Sequence, residues 1–126
     1  MEPYKEHQRV AVLGASNKPD RYSCMAVMLL KDAGHEVIPI HPRLQEIQGI
    51  SVTQNLDEIE GQVDTLTLYV GPRRSMQMID SIISLNPGRV ILNPGTDSEV
   101  LENRLAGAGI PIIKGCTLVM VQSGQF

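Results

Sequence analysis

Five times along the chain a short apolar run ends in a tight turn rich in Gly, Pro or basic residues. Between most of these runs the apolar residues recur at helical spacing. The turns are Gly14 to Arg21, His41-Pro42-Arg43, Gly71-Pro72-Arg73-Arg74, Asn93-Pro94-Gly95-Thr96 and Lys114-Gly115-Cys116. Strands alternating with helices restrict the chain to a parallel sheet with right-handed crossovers. In such a sheet the turns gather outside the carboxyl ends of the strands, where ligands bind. Of the eleven Lys and Arg, six sit in these turns: Lys18, Arg21, Arg43, Arg73, Arg74 and Lys114. The chain carries a net charge of −3, so a basic rim on one edge points to a small polyanion.

The individual elements follow from local pattern. Arg9 to Gly14 is an apolar run ending at glycine, read as a strand buried on both faces. Ala26, Val27, Leu29, Leu30 and Ala33 place a helix over Tyr22–Ala33, with Gly34 as its left-handed stop. Glu36–Ile40 is a second strand, in which Pro39 costs a ladder donor. Leu44 to Gln62 reads as an irregular surface connection with one capped helical turn over Asn55–Glu60. Thr65–Val70 is a third strand, and Pro72 opens a helix carrying Met76, Ile79, Ile82 and Ile83 that stops at Asn86-Pro87-Gly88. Arg89–Leu92 is a fourth strand. Thr96 with Glu99 forms a capping-box pattern before a helix through Val100, Leu101 and Leu105, closed by Gly107 and Gly109. Ile110–Ile113 is the fifth strand, and Leu118 to Val121 docks on the core. The expectation is a single α/β domain: Rossmann-like, with about five parallel strands and helices on both faces.

Composition excludes several functions. A chain of 126 residues that is 42% hydrophobic suffices for one core. An acidic balance, with three Tyr, one Phe and no Trp, argues against a nucleic-acid surface. No apolar run approaches a membrane span and no signal pattern opens the chain, so a cytoplasmic protein without membrane contact is expected. Cys24 and Cys116 form neither a disulfide framework nor a ligand cluster, and His7, His35 and His41 stand singly, so no metal site is expected. A two-fold homodimer is the default expectation for assembly.

The turn after the first strand presents backbone amides and the positive end of a helix to a phosphate. Gly14, Ala15 and Ser16 are small enough for that approach, and Ser23 offers a hydroxyl. A tight turn without a ligand is the plainer alternative. The dinucleotide fingerprint G-x-G-x-x-G with its later acid is absent. Where that acid would stand the chain has His41-Pro42-Arg43. Basic residues there suit an additional phosphate, as on NADP or the 3′ position of coenzyme A (CoA), unless Arg43 is simply a solvated charge.

With these turns placed, the chain resembles the small stand-alone CoA-binding proteins, whose Rossmann-like domain is similar to the CoA-binding domain of succinyl-CoA ligase's alpha subunit. The resemblance runs nearly end to end. It rests on Val12 to Ser16 with Asn17 to Ser23 after it, Val37 to Pro42, Leu68 to Pro72, Asn93 to Thr96 and Cys116 to Met120. It implies CoA or an acyl-CoA as the ligand, with the pyrophosphate on Gly14, Ala15, Ser16 and the helix start at Tyr22 and Ser23, and with Asn17 and Arg21 also among the binding residues. It implies the adenosine 3′-phosphate beside His41, Pro42 and Arg43, and the adenine or ribose beside Val70, Gly71, Pro72 and Arg73. Pro94 and Gly95 complete the implied site. Family members often carry Asn at the position of His41, where a protonated imidazole could still face a phosphate. The ligase relatives use a phosphorylated histidine on a further domain, which this chain ends before, and no activated nucleophile is visible.

The expected function is therefore a binding module for CoA or acyl-CoA. An NADP-binding redox protein and a detached subunit of an acyl-CoA ligase or transferase are the alternatives. Cys116 follows the fifth strand, so it is either a thiol that exchanges with the CoA thiol or a small buried hydrophobe; Cys24 belongs to the core.

Overall fold

The computed structural model describes residues 5–126. Along the chain run β1 (Arg9–Leu13), α1 (Tyr22–Asp32), β2 (Glu36–Ile40), β3 (Glu46–Ile47), β4 (Ile50–Ser51), a 3-10 turn (Leu56–Glu58) and β5 (Thr65–Leu68). Then follow α2 (Pro72–Ser75), α3 (Ile79–Leu85), β6 (Arg89–Leu92), α4 (Glu99–Gly107), β7 (Ile112–Lys114) and α5 (Thr117–Gln122). Five strands form one sheet in the order β2-β1-β5-β6-β7, and every pairing in it is parallel.

Alternation along the strands divides the core into two layers. Ala11, Leu13, Leu66, Leu68, Val90 and Leu92 face α3 and α4 through Ile79, Ile82, Leu101 and Leu105. Val10, Val12 and Ile91 face Ala26, Val27 and Leu30 of α1, with Leu118 and Val121 of α5 packed against them. Helices thus cover both faces, as a parallel sheet requires. The fold is Rossmann-like. Outside β2 a single parallel bridge joins Ile40 to Thr53, so the third strand of the 3-2-1-4-5-6 Rossmann order is reduced here to one residue.

Pro39 sits at this edge. Its carbonyl accepts from Thr53 N at 2.9 Å, on the side away from β1, so the missing N–H leaves the β1 ladder intact. Cys24 lies in the core at 1% exposure, in the layer under α1.

Several local expectations change. The connection after Leu44 holds an antiparallel hairpin, β3 with β4, turning through Gln48 and Gly49, both at positive φ. The segment expected as one helix from Pro72 is two, because Gln77 N and Met78 N bond back only three residues, to Arg74 O and Ser75 O. The Ser75 hydroxyl also donates to Pro72 O at 3.2 Å, and such back-bonding competes with the helical ladder. Helix α4 is capped by Ser98, whose Oγ accepts from Leu101 N. Thr96 instead donates its hydroxyl to Asn93 O at 2.7 Å. The last strand begins two residues later than expected, after Pro111, which has no N–H to contribute.

Candidate functional site

The ends of β1 and β5 approach so closely that only glycine fits between them. Gly14 has φ +89°, and a Cβ there would lie 2.8 Å from Val70 Cγ1 and 3.1 Å from the Tyr69 carbonyl carbon. The turn is tied sideways, since Ala15 N donates to Ile40 O at 3.1 Å, and braced within by Lys18 N donating to Ser16 Oγ at 3.0 Å. Arg21 occupies the N-cap of α1 without a side-chain capping bond, and the first turn of that helix carries no acid. The positive end of the helix dipole is therefore not compensated by a carboxylate of its own first turn.

Around this turn opens a cleft of about 640 Å³, at the switch point where α/β sheets bind ligands. Its apolar lining includes Leu13, Ile40, Leu56, Val70 and Met78, and its cations are Lys18, Arg21 and Arg74. Of the residues expected at the site, the cleft gathers Gly14, Ala15, Ser16, Asn17, Arg21, Ser23, His41, Pro42 and Val70. Tyr22 is 70% exposed at the start of α1, and Arg43, Gly71, Pro72, Arg73, Pro94 and Gly95 are exposed residues outside the cleft lining.

Several lining residues had no place in the sequence-based site: Tyr69, Arg74, Met78, Ser81 and the Gln54–Asp57 segment. Asn55 was legible as a cap, and its Oδ1 accepts from Asp57 N at 3.0 Å. Its position at the cleft comes from packing of the 3-10 turn against α3, which local pattern does not encode. Asp57 Oδ2 accepts from Ser81 Oγ at 3.4 Å across that junction.

Asn93 explains the third and fourth turns in architectural terms. Its Nδ2 donates to Thr67 Oγ1 at 2.7 Å and to Leu68 O at 2.8 Å. Its Oδ1 accepts from Thr117 N at 2.9 Å. The Thr67 and Thr117 hydroxyls lie 2.7 Å apart. This buried knot holds β5, β6 and α5 together at the carboxyl edge beside the cleft. Next to it, burial pushes the Tyr69 phenol up to about 12, with the Thr117 and Thr67 hydroxyls working against the shift and the nearby Cys116 adding to it. The Tyr69 hydroxyl is buried without a hydrogen bond of good geometry. Cys116 is half-buried at the N-cap of α5 and does not line the cleft.

His41 Nδ1 accepts from Arg43 N and from Leu44 N, each at 3.0 Å. An accepting Nδ1 is unprotonated, so this imidazole is the neutral Nε2–H tautomer. Burial, then the charges of Arg43 and Arg74, hold it below the ordinary histidine range. Of the six expected rim cations, Lys114 is paired with Glu102 at 2.9 Å and Arg43 and Arg73 stand outside the cleft lining, which leaves Lys18, Arg21 and Arg74 on it.

A glycine-gated, cation-lined cleft of this kind is compatible with several nucleotides, and comparison with known proteins narrows the choice. The family model for the CoA binding domain matches residues 8–122. The chain belongs to the CoA-binding domain family. A crystal structure of an uncharacterized protein superposes with a TM-score of 0.90 at 41% identity, covering 97% of this chain and 100% of that one. The uncharacterized protein YneT of Bacillus subtilis is 38% identical over 77 residues, 61% of this chain and 55% of that protein. The alpha subunit of an ADP-forming acetate–CoA ligase II from Pyrococcus furiosus is 36% identical over 66 residues, 52% of this chain but 14% of the subunit. The chain thus matches about half the length of one curated relative and a small part of the other. Among the described residues, no helix is long and apolar enough to cross a membrane and no group of three or more His, Cys, Asp and Glu is placed to hold a metal ion.

Proposed function

We propose that this CoA-binding-domain protein binds CoA or an acyl-CoA in the cleft above Gly14, as a binding module that brings no reaction chemistry of its own. The observation that carries this reading is that Lys18, Arg21 and Arg74 line the same cleft as the glycine turn, within a domain whose family is defined by CoA. In this reading the turn from Gly14 to Asn17 and the start of α1 hold the pyrophosphate. Arg43, exposed at the rim, reaches the 3′-phosphate from outside the cleft lining.

The test is calorimetric titration with CoA, dephospho-CoA, NADPH and NADH in one buffer. Tighter binding of CoA than of NADPH supports the reading, a preference for NADPH moves the case to a redox protein, and binding of none of the four overturns both. Within it, Arg43→Ala weakens CoA by about tenfold and dephospho-CoA by much less, the size of one charge-assisted contact. Equal weakening of both ligands overturns the Arg43 assignment.

A second reading is favoured by the Pyrococcus match. A stretch of 66 residues, 52% of this chain, is similar to a small part of an acetate–CoA ligase alpha subunit, and in this reading the chain presents CoA to a partner chain in a ligase or transferase. Copurification of a nucleotide-grasping subunit with the tagged chain is the result expected of that arrangement.

A further inference from the structure

We propose that His41 is a positioning residue for the anionic ligand, whose neutral imidazole holds the turn after β2 in its binding shape and releases it on taking a proton. This rests on the cleft being the ligand site and adds a means of regulating it.

The turn from His41 to Leu44 leaves the sheet at its edge, where among the described residues β2 has only the bridge to Thr53 on its outer side. Two backbone donors, Arg43 N and Leu44 N, converge on the single lone pair of His41 Nδ1. These bonds fold the turn back over the end of β2 and place Pro42 and Leu44 on the cleft lining. A proton on Nδ1 points into the same space as both amide hydrogens. All three do not coexist, so protonation ejects the two amides and unlatches the turn.

The surroundings oppose the proton as well. Arg43 on the same turn and Arg74 from α2 raise the cost of a positive imidazole. Lys18 and Arg21 from the turn after β1 line the same cleft, where Asp57 of the 3-10 turn is the one carboxylate of the lining among the described residues. An anion in the cleft offsets part of that cost but does not restore the lone pair. The geometry therefore points to a ligand held by the turn's backbone and the neighbouring cations, with the imidazole as latch and not as a charged phosphate partner.

Asparagine separates the two roles. Its Oδ1 accepts from the amides of the residues that follow, as in Asx turns, and takes no proton in this range. CoA is titrated into wild type, His41→Asn and His41→Ala at about pH 8 and then in steps down through and below the ordinary imidazole value of about 6.5, because the native ring takes its proton at a lower pH. At the higher pH the Asn variant stays within about twofold of wild type, and the Ala variant weakens by about tenfold, the equivalent of one lost hydrogen bond. On acidification wild type loses about tenfold more affinity than the Asn variant. Titration of the ligand's own phosphates is common to both proteins and cancels. Ala binding as tightly as wild type overturns the proposal, and so do equal losses in wild type and Asn across the whole range, or wild type gaining affinity relative to Asn at low pH, which is the behaviour of an imidazolium on a phosphate.

If wild type fails to bind CoA at about pH 8 the functional reading falls, and the latch is decided by nitrogen-15 spectra of the histidine ring and the Arg43 and Leu44 amides. An unprotonated Nδ1 at high pH, with both amides shifting in step with the ring's titration, supports it; amides that do not move overturn it.

Discussion

At the scale of single residues, Gly14 is the least replaceable position of the site. Gly14→Ala puts a methyl group 2.8 Å from Val70 Cγ1 and 3.1 Å from backbone at Tyr69, in a conformation with φ +89° that alanine rarely adopts. The side chain of Val70 can turn, whereas the Tyr69 backbone is tied to β1 by its N–H donating to Leu13 O at 2.9 Å and resists the shift. The variant is expected to lose about 2 kcal/mol or more of stability, read by urea unfolding, together with its CoA affinity. An unchanged midpoint would show that the two strand ends part easily. The need for glycine was legible in the sequence as a small residue after an apolar run; the neighbours that impose it, Tyr69 and Val70, lie more than fifty residues away. His41 was legible as a basic residue at a strand end. Its tautomer was not, because that depends on where the amides of Arg43 and Leu44 point.

At the scale of elements, the five parallel strands and the helices α1 and α4 follow from apolar runs, glycine stops and helical spacing, whereas α5 was legible only as an apolar segment that docks on the core and not as a helix. The hairpin of β3 and β4 was missed for a specific reason. Its turn uses Gln48 at φ +51° followed by Gly49 at φ +82°, the backbone of a type I′ turn, for which Asn or Asp is the usual first residue. Gln48→Asn is accordingly expected to add about 0.5 kcal/mol of stability, measured as a rise in the unfolding midpoint with an unchanged denaturant slope; a fall in the midpoint would show that the Gln48 side chain makes a contact that matters more than its backbone. The capping box at Thr96 and Glu99 failed by competition. Thr96 spends its hydroxyl on Asn93 O, where it closes the knot at the end of β6, and Ser98 takes over as cap. The break between α2 and α3 has the same character, since Ser75 bonds back to Pro72 O and the chain re-enters a helix only after Met78, which joins the cleft lining.

At the scale of the whole molecule, the dependence of stability on pH follows from groups spread over the fold. His35 Nδ1 accepts from Gln8 N at 3.0 Å, and burial, then the charges of His7 and Arg89, hold it below the ordinary range; His41 shifts the same way. The unfolded chain therefore binds more protons than the native one as pH falls through the ordinary value of about 6.5, and stability declines from there through the lowered native values. Asp64 adds a second, more acidic loss. Burial works to raise it, but the Arg9 amide, at 2.8 Å, and Lys5, at 3.2 Å, outweigh that and hold it below the ordinary carboxylate range. Its contribution is present above that range and disappears as pH falls through the lowered value. Urea unfolding between about pH 8 and pH 3 should be level down to about 7 and then fall in two stages. A curve level to about pH 5 would mean that the two histidines titrate normally in the native protein.

The sequence by itself determined the class of fold, the number of strands in the main sheet and the turns available for a ligand, because continuous apolar runs, helical spacing, glycine stops and proline positions act locally. Only the tertiary structure decided which of those turns share one cleft. That depends on strand order, which sets β1 between β2 and β5 and so brings Arg74, the Asn55 turn and the neutral His41 around Gly14, while side-chain bonds turn Thr96 and Lys114 to structural partners. Contacts between residues far apart in the chain carry no local signature, and here it is those contacts that make the site.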